Sequence, residues 1–138
     1  MIRYVEKPNV TLEEVMPLYE AVGWTNYTQK PEMLEAAYKN SLHVLAALND
    51  EGKLVGILRA VGDGASILFI QDILVYPAYQ HQGIGTKLLQ QTLEKYKNVY
   101  QIQLATDDST KTVSFYESNG FTSLTSLNCV PFIYTGKR

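Results

Sequence analysis

Hydrophobic and polar positions along the chain predict alternating strands and helices. The most apolar stretch, residues 67–75, is rich in β-branched and aromatic side chains, which is typical of a buried strand. Pro77 ends that strand because proline has no N–H to donate to a neighbouring strand. After a polar loop, apolar residues return at helical spacing, at Ile84, Leu88, Leu89, Leu93 and Tyr96. The central unit is therefore a strand, a glycine turn and a helix that begins at Gly83.

The rest of the pattern predicts an α/β fold with a mixed central sheet of about seven strands and four helices. A capping box at Thr11 and Glu14 opens a first helix, in which Pro17 should bend the axis. Residues 23–28 are predicted as a loop, and Pro31 begins a second helix. The other predicted strands are 2–6, 42–48, 53–61, 101–106, 121–127 and 131–134, with a last helix over 110–119.

Composition narrows the class of protein. The 138 residues suit one domain, so we expect residues 1–138 to form a single domain. With 46% hydrophobic and 19% charged residues the chain is typical of globular proteins. A net charge of −2 without any Lys or Arg cluster argues against a nucleic-acid partner. No window suits a membrane span, and the single cysteine, Cys129, fits a reducing compartment, so we expect a cytoplasmic location. His43 and His81 lack metal-ligand spacing, so we expect no metal site.

The glycine turn at Gly83 and Gly85 predicts an anion site. N–H groups in the first turn of a helix have no intrahelical partner, and the helix dipole adds positive charge there. Glycine lets a ligand approach the backbone closely, and phosphate is the typical ligand of such a turn. Leu88 stands where a dinucleotide fingerprint needs a third glycine, and the Gly-Lys-Ser/Thr of a P-loop is absent. Both of those nucleotide-binding classes are therefore excluded.

Two segments of the chain resemble the GNAT superfamily of N-acetyltransferases. Gln80-x-x-Gly83-x-Gly85, directly after the central strand, matches the acetyl-coenzyme A signature of that family position by position. Residues 113–121, Val-Ser-Phe-Tyr-Glu-Ser-Asn-Gly-Phe, are similar to the pattern that ends the last helix of the family. The order of predicted elements also resembles the GNAT fold over nearly the whole chain. In that fold the central strand and the next one separate, and the pantetheine arm of the cofactor enters the gap.

The resemblance implies acetyl-coenzyme A as the cosubstrate and assigns residues that would contact it. Main-chain N–H groups of the central strand face the thioester in the family, which here points to Ile73, Leu74 and Val75. Ser109 stands where many relatives carry asparagine, and it remains a candidate cofactor contact. The loop and first turn expected to hold the pyrophosphate are Gln80, His81, Gln82, Gly83, Ile84, Gly85 and Thr86.

The resemblance also implies catalytic residues. Tyr116 occupies the position of the family tyrosine that protonates the leaving thiolate of coenzyme A, although a packed aromatic is the alternative. Asp72 is the candidate general base, because a charge within an apolar strand is rare. An ion pair, a solvated side chain, or a water chain as the base are the alternatives for Asp72.

The expected reaction is direct transfer of the acetyl group to a primary amine of a small molecule. Trp24 and Tyr27 in the loop, together with Asn128 near the last strands, should line the amine site and favour an apolar or aromatic amine. Residues 18–24 and 58–64 also resemble a GNAT branch that includes arylalkylamine acetyltransferases. A peptide or protein amine, and a sensor that binds acyl-coenzyme A without turnover, are the alternatives. A homodimer is left open.

Overall fold

The computed structural model describes residues 1–136, which contain five β-strands and five α-helices. The chain divides into two compact units, Met1–Ala105 and Thr106–Arg138. The first unit carries the entire five-stranded sheet of the described residues. The expectation of an α/β mixed sheet is confirmed, whereas the expected count of seven strands and four helices is wrong.

The sheet of the first unit is mixed, and the order of its strands equals their order in the chain. Neighbouring strands are antiparallel from β1 to β4, and β4 pairs with β5 in parallel. The strands are β1 (Arg3–Glu6), β2 (His43–Leu48), β3 (Leu54–Gly62), β4 (Ile67–Val75) and β5 (Gln101–Leu104). The strand predicted over 67–75 is β4, which lies inside the sheet between an antiparallel and a parallel neighbour.

Three helices, α1 (Leu12–Ala21), α2 (Thr25–Thr28) and α3 (Pro31–Lys39), lie between β1 and β2 in the chain. The predicted capping box opens α1: the Thr11 hydroxyl accepts from the Glu14 N–H, and the Glu14 carboxylate accepts from the Thr11 N–H. The buried face of α1 and α3 packs with β2, β3 and β4 in one hydrophobic cluster. That cluster comprises Val15, Leu18, Tyr19, Leu34, Tyr38, Val44, Ala46, Leu54, Ile57 and Leu74.

Helix α4 (Ile84–Lys95) contacts β2, β3 and β4 through residues that point away from the α1–α3 cluster. A Cβ built on Gly56 of β3 would lie 3.2 Å from Cγ2 of Ile84, so the absence of a side chain at Gly56 lets the helix approach the strand. His43 of β2 contacts Thr92 of α4. The sheet is thus covered by helices on both faces, which is why β2 is buried along nearly its whole length.

A β-bulge at Gln71 interrupts the ladder between β3 and β4. Arg59 pairs with Asp72, but the next residue of β3, Ala60, pairs with Ile70. Consecutive residues of β3 point to opposite faces, so their partners Asp72 and Ile70 also point to opposite faces. The bulge therefore turns Asp72 toward the face that carries α1 and α3.

The second unit contains α5 (Thr110–Ser118) and a 3₁₀ turn over Leu124–Leu127. Gly120 ends α5 with a positive φ of 90°, and the Phe121 N–H donates to the Tyr116 carbonyl at 3.1 Å, as a C-terminal cap requires. Of the described residues that follow, none belongs to a strand.

Two expectations about secondary structure are wrong. Of the two expected strands, 121–127 contains the 3₁₀ turn over Leu124–Leu127 instead, and 131–134 lies outside any helix or strand. Ser123 and Thr125 hydrogen-bond to each other locally, Asn128 adopts a positive φ of 63°, and Pro131 has no N–H to donate to a neighbouring strand. The expected loop at 23–28 contains the one-turn helix α2, since the Tyr27 and Thr28 N–H groups donate to the Trp24 carbonyl. Within residues 1–136, every helix is too short or too polar to cross a bilayer.

Candidate active site

The glycine turn leads from β4 into α4, and its residues from His81 to Gly83 are exposed. Gly83 is the N-cap of α4 with a positive φ of 82°, and His81 also has a positive φ, of 65°. No side chain within residues 1–136 caps this helix, and a Cβ placed on Gly83 meets nothing within 4 Å. The first intrahelical bond is donated by the Lys87 N–H to the Gly83 carbonyl. The N–H groups of Ile84, Gly85 and Thr86 therefore belong to an uncapped turn with open space before it, as a phosphate site needs.

The two glutamine side chains of the loop between β4 and α4 hydrogen-bond to backbone carbonyl groups of the protein. Gln80 Nε2 donates to the Val75 carbonyl at 3.0 Å, which ties the loop to the end of β4. Gln82 Nε2 donates to the Ala78 carbonyl at 3.4 Å. Both glutamines thus shape the loop, and positive potential toward a ligand comes mainly from backbone N–H groups and the helix dipole.

The second half of β4 is paired on one side only. β5 accompanies β4 from Ile67 to Ile70, whereas Ile73, Leu74 and Val75 pair with β3 alone among residues 1–136. In an antiparallel pair, alternate residues direct their N–H and C=O groups away from the partner strand. At least one N–H of these three residues therefore points to the side where β5 has ended, in agreement with the strand separation expected from the resemblance.

Asp72 lies at the centre of a buried polar network. Its side chain is 1% exposed, and Arg59 Nε donates to Oδ2 at 2.9 Å in an ion pair. The Tyr19 hydroxyl donates to the same oxygen at 2.7 Å, and the Tyr27 hydroxyl donates to Oδ1 at 3.2 Å. An ion pair was one of the alternatives to a general base for Asp72, and the structure contains that ion pair, with Arg59.

The pKa values of Arg59, Tyr19 and Tyr38, which surround Asp72, are all raised. Burial lowers the pKa of Arg59, but the Asp72 carboxylate more than offsets this, so that the net shift is upward. Burial raises the pKa of both Tyr19 and Tyr38 far above the usual range of a phenol. Arg59 is therefore charged and both phenols are protonated near neutral pH.

Trp24 and Tyr27 form an aromatic pair beside this network. Their rings stack with centroids 6.1 Å apart and an angle of 28° between the planes. The Tyr19 ring lies 5.1 Å from the Tyr27 ring. Gln71, the exposed bulge residue, donates from Nε2 to the Tyr27 hydroxyl at 3.3 Å. Two predicted substrate residues are thus brought together with the predicted base, Asp72.

Tyr116 lies in α5 of the second unit, between two phenylalanines. Its ring is 5.0 Å from that of Phe115 and 5.7 Å from that of Phe121, in edge-to-face geometry. Burial raises the pKa of Tyr116, and the negative charge of Asp107 adds to the shift. The phenol is therefore protonated near neutral pH, which a proton donor requires.

Ser109 and Asn128 also lie in the second unit. The Ser109 hydroxyl accepts from the Thr112 N–H at 3.3 Å and donates to the Thr112 hydroxyl, so it serves as the N-cap of α5. Asn128 is exposed and ends the 3₁₀ turn in the left-handed conformation. Their contacts with cofactor and substrate remain predictions, as does the absence of a metal. Residues 1–136 contain no cluster of three or more metal-ligating side chains.

Sequence reasoning missed four members of the Asp72 network, namely Arg59, Tyr19, Tyr38 and Ser41. Arg59 carried the same signal as Asp72, a charge within an apolar strand. Tyr19 and Tyr38 carried no such signal, because a tyrosine on the apolar face of a helix is an ordinary core residue. The Ser41 hydroxyl accepts from Arg59 Nη1 at 3.3 Å, a contact that only the folded chain reveals.

Comparison with known proteins agrees with this geometry. Residues 40–123 match the model of the acetyltransferase (GNAT) domain. A GNAT-family acetyltransferase from Streptococcus pneumoniae, SP0256, is 44% identical, covers 100% of both chains and superposes with a TM-score of 0.90. A histone acetyltransferase of Glycine max, TAP1, is 32% identical over 82% of this chain. An uncharacterized N-acetyltransferase of Pyropia yezoensis, ycf52, is 28% identical over 82% of this chain.

The last two matches extend over 52% and 66% of the relatives' own lengths, so the chain spans between half and two thirds of these curated proteins. The match to the domain model begins directly after α3, ends five residues after α5, and includes the glycine turn, β4 and Tyr116. The chain belongs to the GNAT family of acetyltransferases.

Proposed function

We propose that this acetyltransferase uses acetyl-coenzyme A and acetylates the primary amine of a small molecule by direct attack in a ternary complex. The observation that carries the proposal lies within the first unit. There the uncapped first turn of α4 follows the end of β4 that has no β5 partner. One feature suits a pyrophosphate and the other suits a thioester carbonyl, and they are joined by the loop from Tyr76 to Gly83.

The residues of the loop fit coenzyme A. N–H groups of Gly83, Ile84, Gly85 and Thr86 can donate to the pyrophosphate, and the open space at Gly83 leaves room for it. Gln80, His81 and Gln82 contribute through the backbone they shape. Ser109 is a further proposed contact in the second unit.

Bound acetyl-coenzyme A would supply an acetyl group activated as a thioester. The free N–H among Ile73, Leu74 and Val75 would donate to the carbonyl oxygen and stabilise the negative charge that grows on it. As the amine nitrogen bonds to the carbonyl carbon, the carbon–sulfur bond breaks and Tyr116 gives its proton to the sulfur. The proton lost by the amine passes to water, because both oxygens of Asp72 already accept hydrogen bonds, and from water a proton returns to the Tyr116 phenolate.

The stacked pair of Trp24 and Tyr27 favours an amine with an apolar or aromatic body, as the resemblance to the arylalkylamine branch also suggests. Asn128 is proposed as a further contact. The second candidate is a lysine amine of a protein, which the name of the Glycine max relative favours. Supplying a peptide amine and a small-molecule amine together, and identifying which of them becomes acetylated, separates the two candidates.

A homodimer in the cytoplasm is part of the proposal. β5 is an edge strand of the described sheet, and unpaired strand edges favour association. The segment after the 3₁₀ turn exposes large apolar side chains, with Phe132 93% and Ile133 85% accessible, and a second copy could cover them. Sedimentation equilibrium tests this: a monomer at all concentrations up to 100 times the assay concentration contradicts the dimer.

The decisive experiment incubates the protein with acetyl-coenzyme A and measures release of free thiol. The acceptors are 2-phenylethylamine, spermidine and a lysine-containing histone-tail peptide. Cys129 is exposed and would itself react with thiol reagents, so the assay is repeated with the Cys129→Ser variant, which lacks this background signal. We expect release with 2-phenylethylamine. Release with the peptide alone would favour the protein amine, and a thermal shift with acetyl-coenzyme A but no release would favour the sensor.

A further inference from the structure

The hydroxyl of Tyr27 is fixed between two neighbours on β4. It donates to Asp72 Oδ1 at 3.2 Å and accepts from Gln71 Nε2 at 3.3 Å. Its ring is held by Trp24 on one side and Tyr19 on another. Tyr27 is half-buried and Gln71 is exposed, so the oxygen lies where the buried network meets the surface.

Asp72 determines which way the Tyr27 hydrogen points. A carboxylate only accepts hydrogen bonds, and this one is paired with Arg59 in a site where both side chains are at most 6% exposed. The Tyr19 hydroxyl donates its hydrogen to Asp72 Oδ2. In the 2.8 Å hydrogen bond between the Tyr19 and Tyr38 oxygens, the Tyr38 hydroxyl is therefore the donor. The hydroxyl hydrogens of the three tyrosines therefore all point along the network toward Asp72, including that of Tyr27.

An inward hydrogen leaves only lone pairs of the Tyr27 oxygen facing outward. Among residues 1–136, the other group that hydrogen-bonds to this oxygen is the amide of the exposed Gln71, and it comes as an N–H donor. The bond is long, and the Gln71 side chain is free to move aside because it is exposed. A substrate N–H could take the same position.

We propose that Tyr27 is the specificity-determining residue of the amine site, and that Arg59 and Asp72 act through it as positioning residues. The oriented hydroxyl accepts an N–H of the substrate amine and discriminates against groups that present only lone pairs. This inference rests on the proposed function for the identity of the acceptor substrate, but it concerns binding and can be measured without turnover.

Trp24 is the only tryptophan of the chain and stacks on Tyr27, so its fluorescence reports directly on this site. The probes are 4-phenylbutan-2-amine, which carries N–H groups, and 4-phenylbutan-2-one, which has the same skeleton but only lone pairs. We expect the wild-type protein to bind the amine about tenfold more tightly than the ketone, the difference that one hydrogen bond makes. In Tyr27→Phe, which keeps the ring, the ratio should fall to about one.

Tyr38→Phe is the matched control, because it also removes one phenol hydroxyl that hydrogen-bonds within the protein, but one that is buried and bonds only inward to Tyr19. It should lower the melting temperature and keep the tenfold preference. In Asp72→Asn the new amide can donate to Tyr27, the hydrogen turns outward, and the preference should move toward the ketone.

Equal binding of the two probes by the wild type, a preference that survives in Tyr27→Phe, or no fluorescence change with either probe overturns the inference. In the active enzyme, Tyr27→Phe should raise KM for the amine and leave KM for acetyl-coenzyme A unchanged. Failure of the proposed function appears separately, as the absence of both thiol release and a thermal shift with acetyl-coenzyme A.

Discussion

His43 and Thr92 join β2 to α4: the imidazole Nε2 lies 3.0 Å from the threonine hydroxyl, and both side chains are buried. The other ring nitrogen, Nδ1, is buried without a hydrogen-bond partner among the described residues. Burial lowers the pKa of His43 to about 4, and the nearby Lys95 ammonium adds to the shift while Glu6 opposes it. The folded protein therefore contains a neutral imidazole at pH values where an unfolded chain would protonate it.

We expect this histidine to make the protein acid-sensitive. Between about pH 6.5 and 4 the unfolded state binds the proton and the folded state does not, so stability falls as the pH falls, by at most about 1.4 kcal/mol per pH unit. Urea unfolding at a series of pH values measures this. His43→Leu should flatten the curve in that window, and an unchanged slope in the variant would show that other groups cause it.

Tyr116→Phe tests the proposed proton donor. The variant keeps the ring and its contacts with Phe115 and Phe121, so the fold and the affinity for acetyl-coenzyme A should survive. A positioned general acid typically contributes 10²–10⁴-fold, so we expect kcat to fall by about two orders of magnitude or more with little change in KM for acetyl-coenzyme A. Normal turnover, with chemistry as the slow step, would identify Tyr116 as a packed aromatic only.

Gly85→Val tests the phosphate-binding turn. A β-branched side chain in the first turn of α4 should block the pyrophosphate and abolish the thermal shift that acetyl-coenzyme A causes. Gln90→Val is the matched control, because it places the same side chain on the exposed face of the same helix. The control should keep the shift. A folded Gly85→Val protein with the full shift would refute the assignment.

Gly62→Ala tests the turn between β3 and β4. Gly62 has a φ of 137°, and a Cβ there would lie 2.3 Å from the Ile67 carbonyl oxygen. We expect a loss of more than about 2 kcal/mol in the free energy of unfolding, from strain and overpacking together. Gly52→Ala is the control: its φ is also positive, at 76°, but a Cβ meets nothing within 4 Å. There the loss should be about 1 kcal/mol. Equal losses of unfolding free energy in the two variants would mean that backbone strain alone accounts for the effect of Gly62→Ala.

The local signals of the sequence predicted the first unit well. The capping box at Thr11, the glycine turn at Gly83 and the apolar stripe of α4 act over a few residues, and each forms as expected. The last two predicted strands failed, because strand formation depends on a partner and not only on β-propensity. The β-branched and aromatic residues of 131–134 had the propensity, whereas the described chain there is exposed and outside the sheet.

The candidate site was harder to predict because it depends on a register shift. Regular alternation would place Ile70 and Asp72 on one face of β4, and only the bulge at Gln71 separates them. The partners of Asp72 come from two helices and a neighbouring strand, at separations of 13 to 53 residues along the chain. Sequence periodicity contains no information about such distant contacts, so the partner of Asp72 in its ion pair, Arg59, and the roles of Tyr19 and Tyr38 appeared only in the folded molecule.

The match between strand order in the sheet and strand order in the chain has a consequence for biosynthesis. No strand of the first unit has to insert between two strands that have already paired. Each strand can therefore pair with the strand that precedes it in the chain as soon as it leaves the ribosome. At typical synthesis rates the hairpin from Leu54 to Val75 is complete within about 1–4 s of its first residue. We expect the sheet to grow in the direction of translation, with β5 as the last strand to be added.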